Sequence, residues 1–176
     1  MSEDREDTKI QGSVILDSNI LQYLNNSDIA PSLLIYLNEV ITTGYDLTIS
    51  DITYFDLLPG IPRSKEKQLS ETLDAFRKFP VTQSVCTASG QLCTIYRSEK
   101  SEFDHIEVPD KIIAATAVLT NSLILTVNSN DYPRPFFNEV HKKLIYYKRK
   151  DKENMLCIYL LRPDVEHIMF RFNNRS

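Results

Sequence analysis

Four aspartates stand where short apolar runs meet helical segments, and this placement gives them chemical potential. Asp17 closes the run Ser13-Val-Ile-Leu, and Asp56 lies in a helical stretch that follows a second run ending at Ser50. Asp110 opens an alanine-rich stretch, and Asp131 comes just after Ser122-Leu-Ile-Leu-Thr-Val127. In an open α/β sheet, ligands bind beyond the carboxyl ends of the strands. Carboxylates gathered there repel one another and stay ionised together only around a cation. Oxygen donors without His or Cys select a hard divalent ion, Mg²⁺ or Mn²⁺. Such ions activate water and stabilise the charge on a phosphoryl group in transit.

Each acid also has a structural use. Asp110 at a helix start suits an N-cap, and Asp131 in Asn128-Ser-Asn-Asp131 suits a turn. Asp56 suits the solvated face of its helix, whereas Asp17 has the fewest structural reasons to be where it is. Residue types and spacing therefore leave a metal site and four separate structural roles both open. The three His include no i, i+4 pair and the three Cys no CxxC spacing, so a His-rich zinc site and a disulfide framework are excluded. A net charge of −4 excludes nucleic-acid binding by bulk charge but leaves room for a local basic groove. Arg134, Lys142, Lys143, Lys148 and Arg149 (with Lys150 and Lys152) form such a group. The competing reading is a solvated turn or a sheet edge guarded by Lys. Tyr132, Tyr146 and Tyr147 are candidates to stack on bases, with packing the better use of the last two.

The elements that must position these residues follow from periodicity. Strands are expected at 13–17, 46–49, 79–83 and 122–127, with helices over 19–24, 31–43, 63–79, 86–97 and 112–119. Pro31 suits a helix start, Gly44 its end, and Ser50 the cap of the helix that runs to Pro59. Leu69, Leu73, Phe76 and Phe79 would face inward along 63–79. Residues 144–147 and 155–161 read as two antiparallel strands joined by a charged turn. Short strands alternating with longer helices indicate an α/β domain with a mainly parallel sheet. The expected organisation is a lead-in over 1–12, a domain over 13–143, and an extension over 144–176 packed on it. No apolar run approaches the ~18 residues of a membrane span and the start carries no secretory signal, so a soluble, cytoplasmic protein is expected.

Local sequences sharpen the reading. Val14-Ile-Leu-Asp17-Ser18-Asn19-Ile20-Leu21 resembles the opening of PIN domains, an apolar strand ending in Asp-(Thr/Ser)-Asn. Ser50-Asp-Ile-Thr53-Tyr-Phe-Asp56-Leu57 resembles the second motif, Ser-x-x-Thr-x-x-Glu-Leu, with Asp in place of Glu and so one methylene shorter. Asp110-Lys-Ile-Ile113-Ala114-Ala115-Thr-Ala117 resembles the third. Thr126-Val-Asn128-Ser-Asn-Asp131-Tyr132 resembles the fourth, and the set covers roughly residues 13 to 132 in the family's order.

The resemblance implies a three-layer α/β/α domain with an acidic pocket at the carboxyl edge of its sheet. It is closest to the small VapC-type toxins, metal-dependent endoribonucleases neutralised by a cognate antitoxin. Carried over by motif, Asp17, Asp56, Asp110 and Asp131 become the Mg²⁺- or Mn²⁺-binding and catalytic acids, with Asn128 a further ligand. Ser18, Ser50 and Thr126 would orient carboxylates or waters from behind them. The implied activity is hydrolysis of RNA phosphodiester bonds by a metal-activated water, with an antitoxin partner and a homodimeric state. The alternative is a PIN-like module of weakened chemistry that binds RNA or a partner protein. Asp56 and the long tail motivate it.

Overall fold

The computed structural model describes residues 12–99, 105–150 and 152–174. The lead-in expected over 1–12 lies outside them except for Gly12, which begins the first strand. Among the described residues, thirteen main elements run in the order β1 (Gly12–Leu16), α1 (Ser18–Leu24), α2 (Ala30–Thr42), β2 (Tyr45–Ser50), α3 (Ile52–Leu57), α4 (Glu66–Asp74), β3 (Arg77–Phe79), α5 (Gln83–Glu99), α6 (Val108–Thr120), β4 (Leu123–Thr126), β5 (Phe137–Arg149), β6 (Lys152–Pro163) and α7 (Val165–Asn173), with a short 3₁₀ turn at Ser129–Asp131. They form one six-stranded sheet in the order β3-β2-β1-β4-β6-β5. β3, β2, β1 and β4 are mutually parallel; β6 runs antiparallel to β4, and β5 pairs antiparallel with β6 to close that edge as a hairpin.

Period-two alternation divides the core between the faces. Val14, Leu16, Leu123 and Leu125 pack with Ile20, Leu33, Leu37 and Val40 of α1 and α2. Ile15 and Ile124 pack on the other face with Ile113, Ala114, Ala117, Leu92 and Ile95 of α5 and α6. Ala114, Ala115 and Ala117 are wholly buried, so the small side chains let α6 lie close to the sheet. The result is the three-layer α/β/α arrangement. β1 and β4 are short and apolar because both faces are covered, which is why they read as continuous runs rather than alternating ones. Gly44 ends α2 at φ 92°, a conformation glycine adopts without a Cβ penalty.

The structure corrects several expectations. The helix expected over 63–79 stops at Asp74, because residues 77–79 pair in parallel with Thr48–Ser50 of β2. Sheet pairing there overrides helical periodicity. Leu73 is buried and Leu69 and Phe76 rest on the same cluster, whereas Phe79 turns to the opposite face of the sheet. The strand expected over 79–83 is therefore displaced, and Gln83 already begins α5. Ser50 does not cap α3; it ends β2, and Asp51 holds the N-cap position without a side-chain bond. The charged residues around 148–154 do not form a wide turn but extend the two strands, which pair as far as Arg149–Lys152. The 143/144 division falls inside β5, and β6 joins β4, so residues 144–163 complete the same sheet. Helix α7 follows, capped by Asp164, whose carboxylate accepts from the His167 backbone N–H at 2.9 Å.

Candidate active site

The parallel strands end together, and the acids stand at that edge. β1 ends at Leu16, so Asp17 is the first residue past it, 2% exposed. Its backbone N–H still donates to the Leu125 carbonyl of β4 at 3.0 Å. Although Asp17 occupies the N-cap position of α1, its side chain makes no cap bond. Asp17 Oδ2 instead accepts from Thr126 Oγ1 at 2.7 Å and from Asn19 Nδ2 at 2.7 Å. Thr126 in turn accepts from the Asn128 backbone N–H at 2.9 Å, and Asn19 Oδ1 accepts from Val127 N–H at 3.2 Å. The two ends of the sheet centre, β1 and β4, are thus tied through one carboxylate.

Asp110 is not an N-cap: Glu107 holds that position in α6, and Asp110 lies in the first helical turn, half-buried. Asp131 ends the 3₁₀ turn, where its Oδ2 accepts from Asn128 Nδ2 at 2.6 Å. Asp56 is half-buried on α3, which packs on α6. Asp51 and Asp28 are exposed. Burial pushes the Asp110 carboxyl up to about 8, reinforced by the charges of Asp17, Asp131, Asp56 and Glu107. Burial likewise raises Asp17 to about 6, against the lowering effect of Thr126, the Ser18 backbone N–H and Asn19, while Asp131 adds to the rise. Burial raises Asp131 as well, with His105 and Asn128 opposing it.

All four predicted acids therefore share one electrostatic neighbourhood. They do not close on a common point: among the described residues, no three Asp, Glu, His or Cys side chains are arranged to hold a metal ion as they stand. Mutual repulsion, together with the Asn128 and Thr126 bonds that hold Asp131 and Asp17, accounts for that spread. The donor set nevertheless fits a hard cation. It is oxygen-only and partly sealed from water, and its charges raise one another's proton affinity, with His105 opposing the rise at Asp131. Buried hydroxyls at the same edge, those of Ser18, Ser50, Thr53 and Tyr132, have no hydrogen-bond partner. Ser18 and Ser50 were expected to orient carboxylates and bond to none here, whereas Thr126 bonds directly to Asp17.

Reading by residue type missed three groups. Asn19 was visible in the first motif yet is as closely bound to Asp17 as Thr126 is. Glu107, three residues before Asp110, adds a fifth charge. Tyr132 is fully buried, and that burial, reinforced by the charges of Asp17, Asp110 and Asp131, pushes its hydroxyl well above its usual range; it is closed to base stacking. Tyr146, expected to pack, is 71% exposed, while Tyr147 rests against the core. The basic residues also divide. Arg134 faces Glu139 at 3.9 Å, and Lys143 is held by Glu39 at 2.9 Å with Tyr36 beneath it. Lys142 and Lys148 lie on the other face of the hairpin from Lys143 and Arg149.

No family model matches the chain. Ribonuclease VapC19 of Mycobacterium tuberculosis is 30% identical over 103 residues, covering 58% of this chain and 80% of that protein. Two solved structures share the fold. A toxin-antitoxin complex from Klebsiella pneumoniae gives a TM-score of 0.55 at 24% identity, covering 69% of this chain and 92% of that one. VapBC2 from Rickettsia felis, bound to a DNA fragment from its promoter, gives 0.56 at 21%, covering 68% and 90%. No helix among the described residues is long and apolar enough to cross a membrane. Four ordered motifs, a parallel sheet whose carboxyl edge gathers their acids, and this degree of identity to a ribonuclease of the group lead to one assignment: the chain belongs to the PIN-domain family, in its VapC-like group.

Proposed function

We propose that the chain is a divalent-cation-dependent endoribonuclease that acts as the toxin of a toxin-antitoxin pair. The observation that carries this reading is the buried Asp17 carboxylate, fixed by Thr126 and Asn19 and surrounded by the charges of Asp110, Asp131 and Asp56. A core folded for stability alone would have no use for that arrangement, since an unsatisfied cluster of like charges costs free energy. Asp17, Asp56, Asp110 and Asp131, with Asn128, would hold Mg²⁺ or Mn²⁺. When bound, the cation supplies activation of a water and stabilisation of charge on the scissile phosphate.

The residues of the chain perform the remaining tasks. Thr126 and Asn19 set the Asp17 carboxylate in one orientation through Oδ2. Asp110 holds a proton near neutral pH while the pocket lacks a counter-charge. Ile113, Tyr132 and the apolar ends of β1 and β4 exclude water from behind the acids, which strengthens every interaction in front of them. The pairing of the structural relatives with antitoxins supports a protein partner that covers this edge, and a homodimeric state belongs to the same reading.

The test is cleavage of single-stranded RNA by the purified chain in Mg²⁺ or Mn²⁺ against EDTA. Cation-dependent cleavage that leaves 5′-phosphate ends is expected, and Asp17→Asn lowers it on the order of 10³-fold or more with the fold retained. Equal rates for wild type and Asp17→Asn would remove the activity from this pocket. A chain that binds RNA without cleaving it, and whose melting temperature ignores Mn²⁺, is the binding module instead.

A further inference from the structure

The β5–β6 hairpin has two unlike faces. Opposed residues of an antiparallel pair share a face, so the register assigns His141, Lys143, Ile145 and Tyr147, with Leu160, Ile158, Leu156 and Asn154, to one side. That side is covered: Ile145, Leu156, Ile158 and Leu160 belong to the core under α2, and Lys143 is tied to Glu39. The other side presents Lys142, Leu144, Tyr146 and Lys148, opposite Tyr159, Cys157, Met155 and Glu153. Lys142, Tyr146, Lys148 and Met155 are exposed there, and only Tyr159 reaches the core. Glu153, opposite Lys148, is the one acid on this face among the described residues; Glu139, nearer the hairpin's base, faces Arg134.

This open face continues the active edge. Asp17 bonds to Thr126 of β4, Thr126 stands opposite Tyr159 of β6, and Tyr159 stands opposite Lys142 of β5. Lys142 Nζ lies over the Tyr159 ring, 5.3 Å from its centroid, and the Tyr159 hydroxyl is within reach of Ser129 in the turn that carries Asp131. Three strand spacings, about 14 Å, separate β1 from β5. From Lys142 to Lys148 the hairpin runs roughly 20 Å further. The face therefore starts from the strand next to the acids and leads away from them past the exposed Lys142, Leu144, Tyr146 and Lys148.

We propose that this face is the track for a single RNA strand running out of the acidic pocket, with Lys142 and Lys148 on phosphates and Tyr146 under a base. The inference rests on the ribonuclease reading and names where its substrate is held. Phosphate charge complements the lysines, and stacking on a flat ring tolerates any base. On this face, among the described residues, the two lysines have Glu153 as their one acid, and phosphate oxygens supply the acceptors they lack.

The test measures binding of a fluorescein-labelled single-stranded RNA in EDTA by anisotropy, across a salt series. The triple variant Lys142→Glu/Tyr146→Ala/Lys148→Glu should bind about tenfold or more weakly, and its salt slope should be shallower by about 1.4, the share of two phosphates. Lys142→Arg/Lys148→Arg should retain wild-type affinity. Lys67→Glu, at the far end of the sheet, controls for bulk charge and should bind as wild type. Unchanged affinity in the triple variant, with wild type cleaving RNA, overturns the track and leaves the ribonuclease standing. So does an equal loss in Lys67→Glu. An unchanged affinity with a shift in sedimentation makes the face a protein contact instead. A wild-type chain that neither binds nor cleaves RNA removes the ribonuclease reading and the track together.

Discussion

The carboxyl edge of the sheet and the β5–β6 hairpin differ in what holds their residues. At the edge, Asp17 is 2% exposed, and its partners Thr126 and Asn19 come from the end of β4 and the start of α1. Position is fixed there by buried hydrogen bonds, and charge is concentrated at a cost in stability. On the hairpin, Lys142, Tyr146 and Lys148 stand on an extended ladder in water, where their charge costs little and their rotamers are free. The comparison teaches a division of labour. Groups that must be placed to within a fraction of an ångström are bought with burial, whereas groups that need only attract and support a flexible strand are left outside.

The sharpest break of that contrast is Thr126→Val. Valine matches the threonine in shape, so packing in β4 survives, but Asp17 loses one donor and the Asn128 N–H loses its acceptor. Supporting partners of this kind are worth roughly 10–100-fold in activity or metal affinity. A loss in that range in RNA turnover, with an unchanged RNA affinity in EDTA, is expected. Turnover within a factor of two of wild type would mean the Asp17 orientation is set by packing rather than by hydrogen bonding.

Legibility in the sequence follows the same divide. The strand-to-acid junction at Leu16–Asp17, the run 122–127 and the alanine helix were readable because burial on both faces writes apolar runs and small residues directly into the chain. That Asp17, Asp56, Asp110 and Asp131 stand in one neighbourhood was readable through motif order alone; spacing left each with a structural alternative. Two kinds of information were not there. Phe76 to Phe79 continues the helical period of Leu69 and Leu73, and only the neighbouring β2 edge decides that the chain goes extended. The Lys and Tyr residues of 142–149 show no face until the partner strand fixes the register, which puts Lys142 and Lys143 on opposite sides of the hairpin. Asn19 and Glu107 were within reach, since one sits in a quoted motif and the other a single turn from Asp110.

A smaller effect sharpens the acidic edge itself. The resembling motif carries Glu where this chain has Asp56, and Asp56 acts on Asp110 through charge from α3 without joining a closed ligand set. Asp56→Glu lengthens the reach by one methylene. If a contact through water becomes direct, Mn²⁺ affinity rises about tenfold, or ~1.4 kcal/mol, measured by calorimetric titration beside Asp56→Ala. Equal affinities in all three proteins would place Asp56 outside the site and leave Asp17, Asp110 and Asp131 to hold the ion.

The smallest expected effect lies in the stability of the cation-free chain, and it concerns the cost that the edge bears and the hairpin does not. Asp110 is pushed up to about 8 and Asp17 to about 6, both from 3.8 in an unfolded chain. Between those limits the folded state binds more protons than the unfolded state, so stability falls as pH rises. The decline begins near pH 4, where unfolded carboxyls start to release protons, and it ends once the folded Asp110 has released its own near pH 8. Other groups titrate in the same range, and a difference isolates the contribution: in EDTA, Asp110→Asn should melt at a temperature closer to wild type at pH 5 and several degrees above it at pH 8, given that about 1 kcal/mol moves the midpoint of a chain this size by ~2–4 °C. Saturating Mn²⁺ should raise the wild-type midpoint at pH 8 and narrow the gap, because a bound cation replaces the proton that the carboxylates have lost. The Lys142→Glu/Tyr146→Ala/Lys148→Glu variant should show no such pH-dependent difference from wild type. A gap between Asp110→Asn and wild type that is constant from pH 5 to 8 would mean the Asp110 carboxylate is already compensated in the folded chain, and the acidic edge would then bear no greater electrostatic cost than the hairpin.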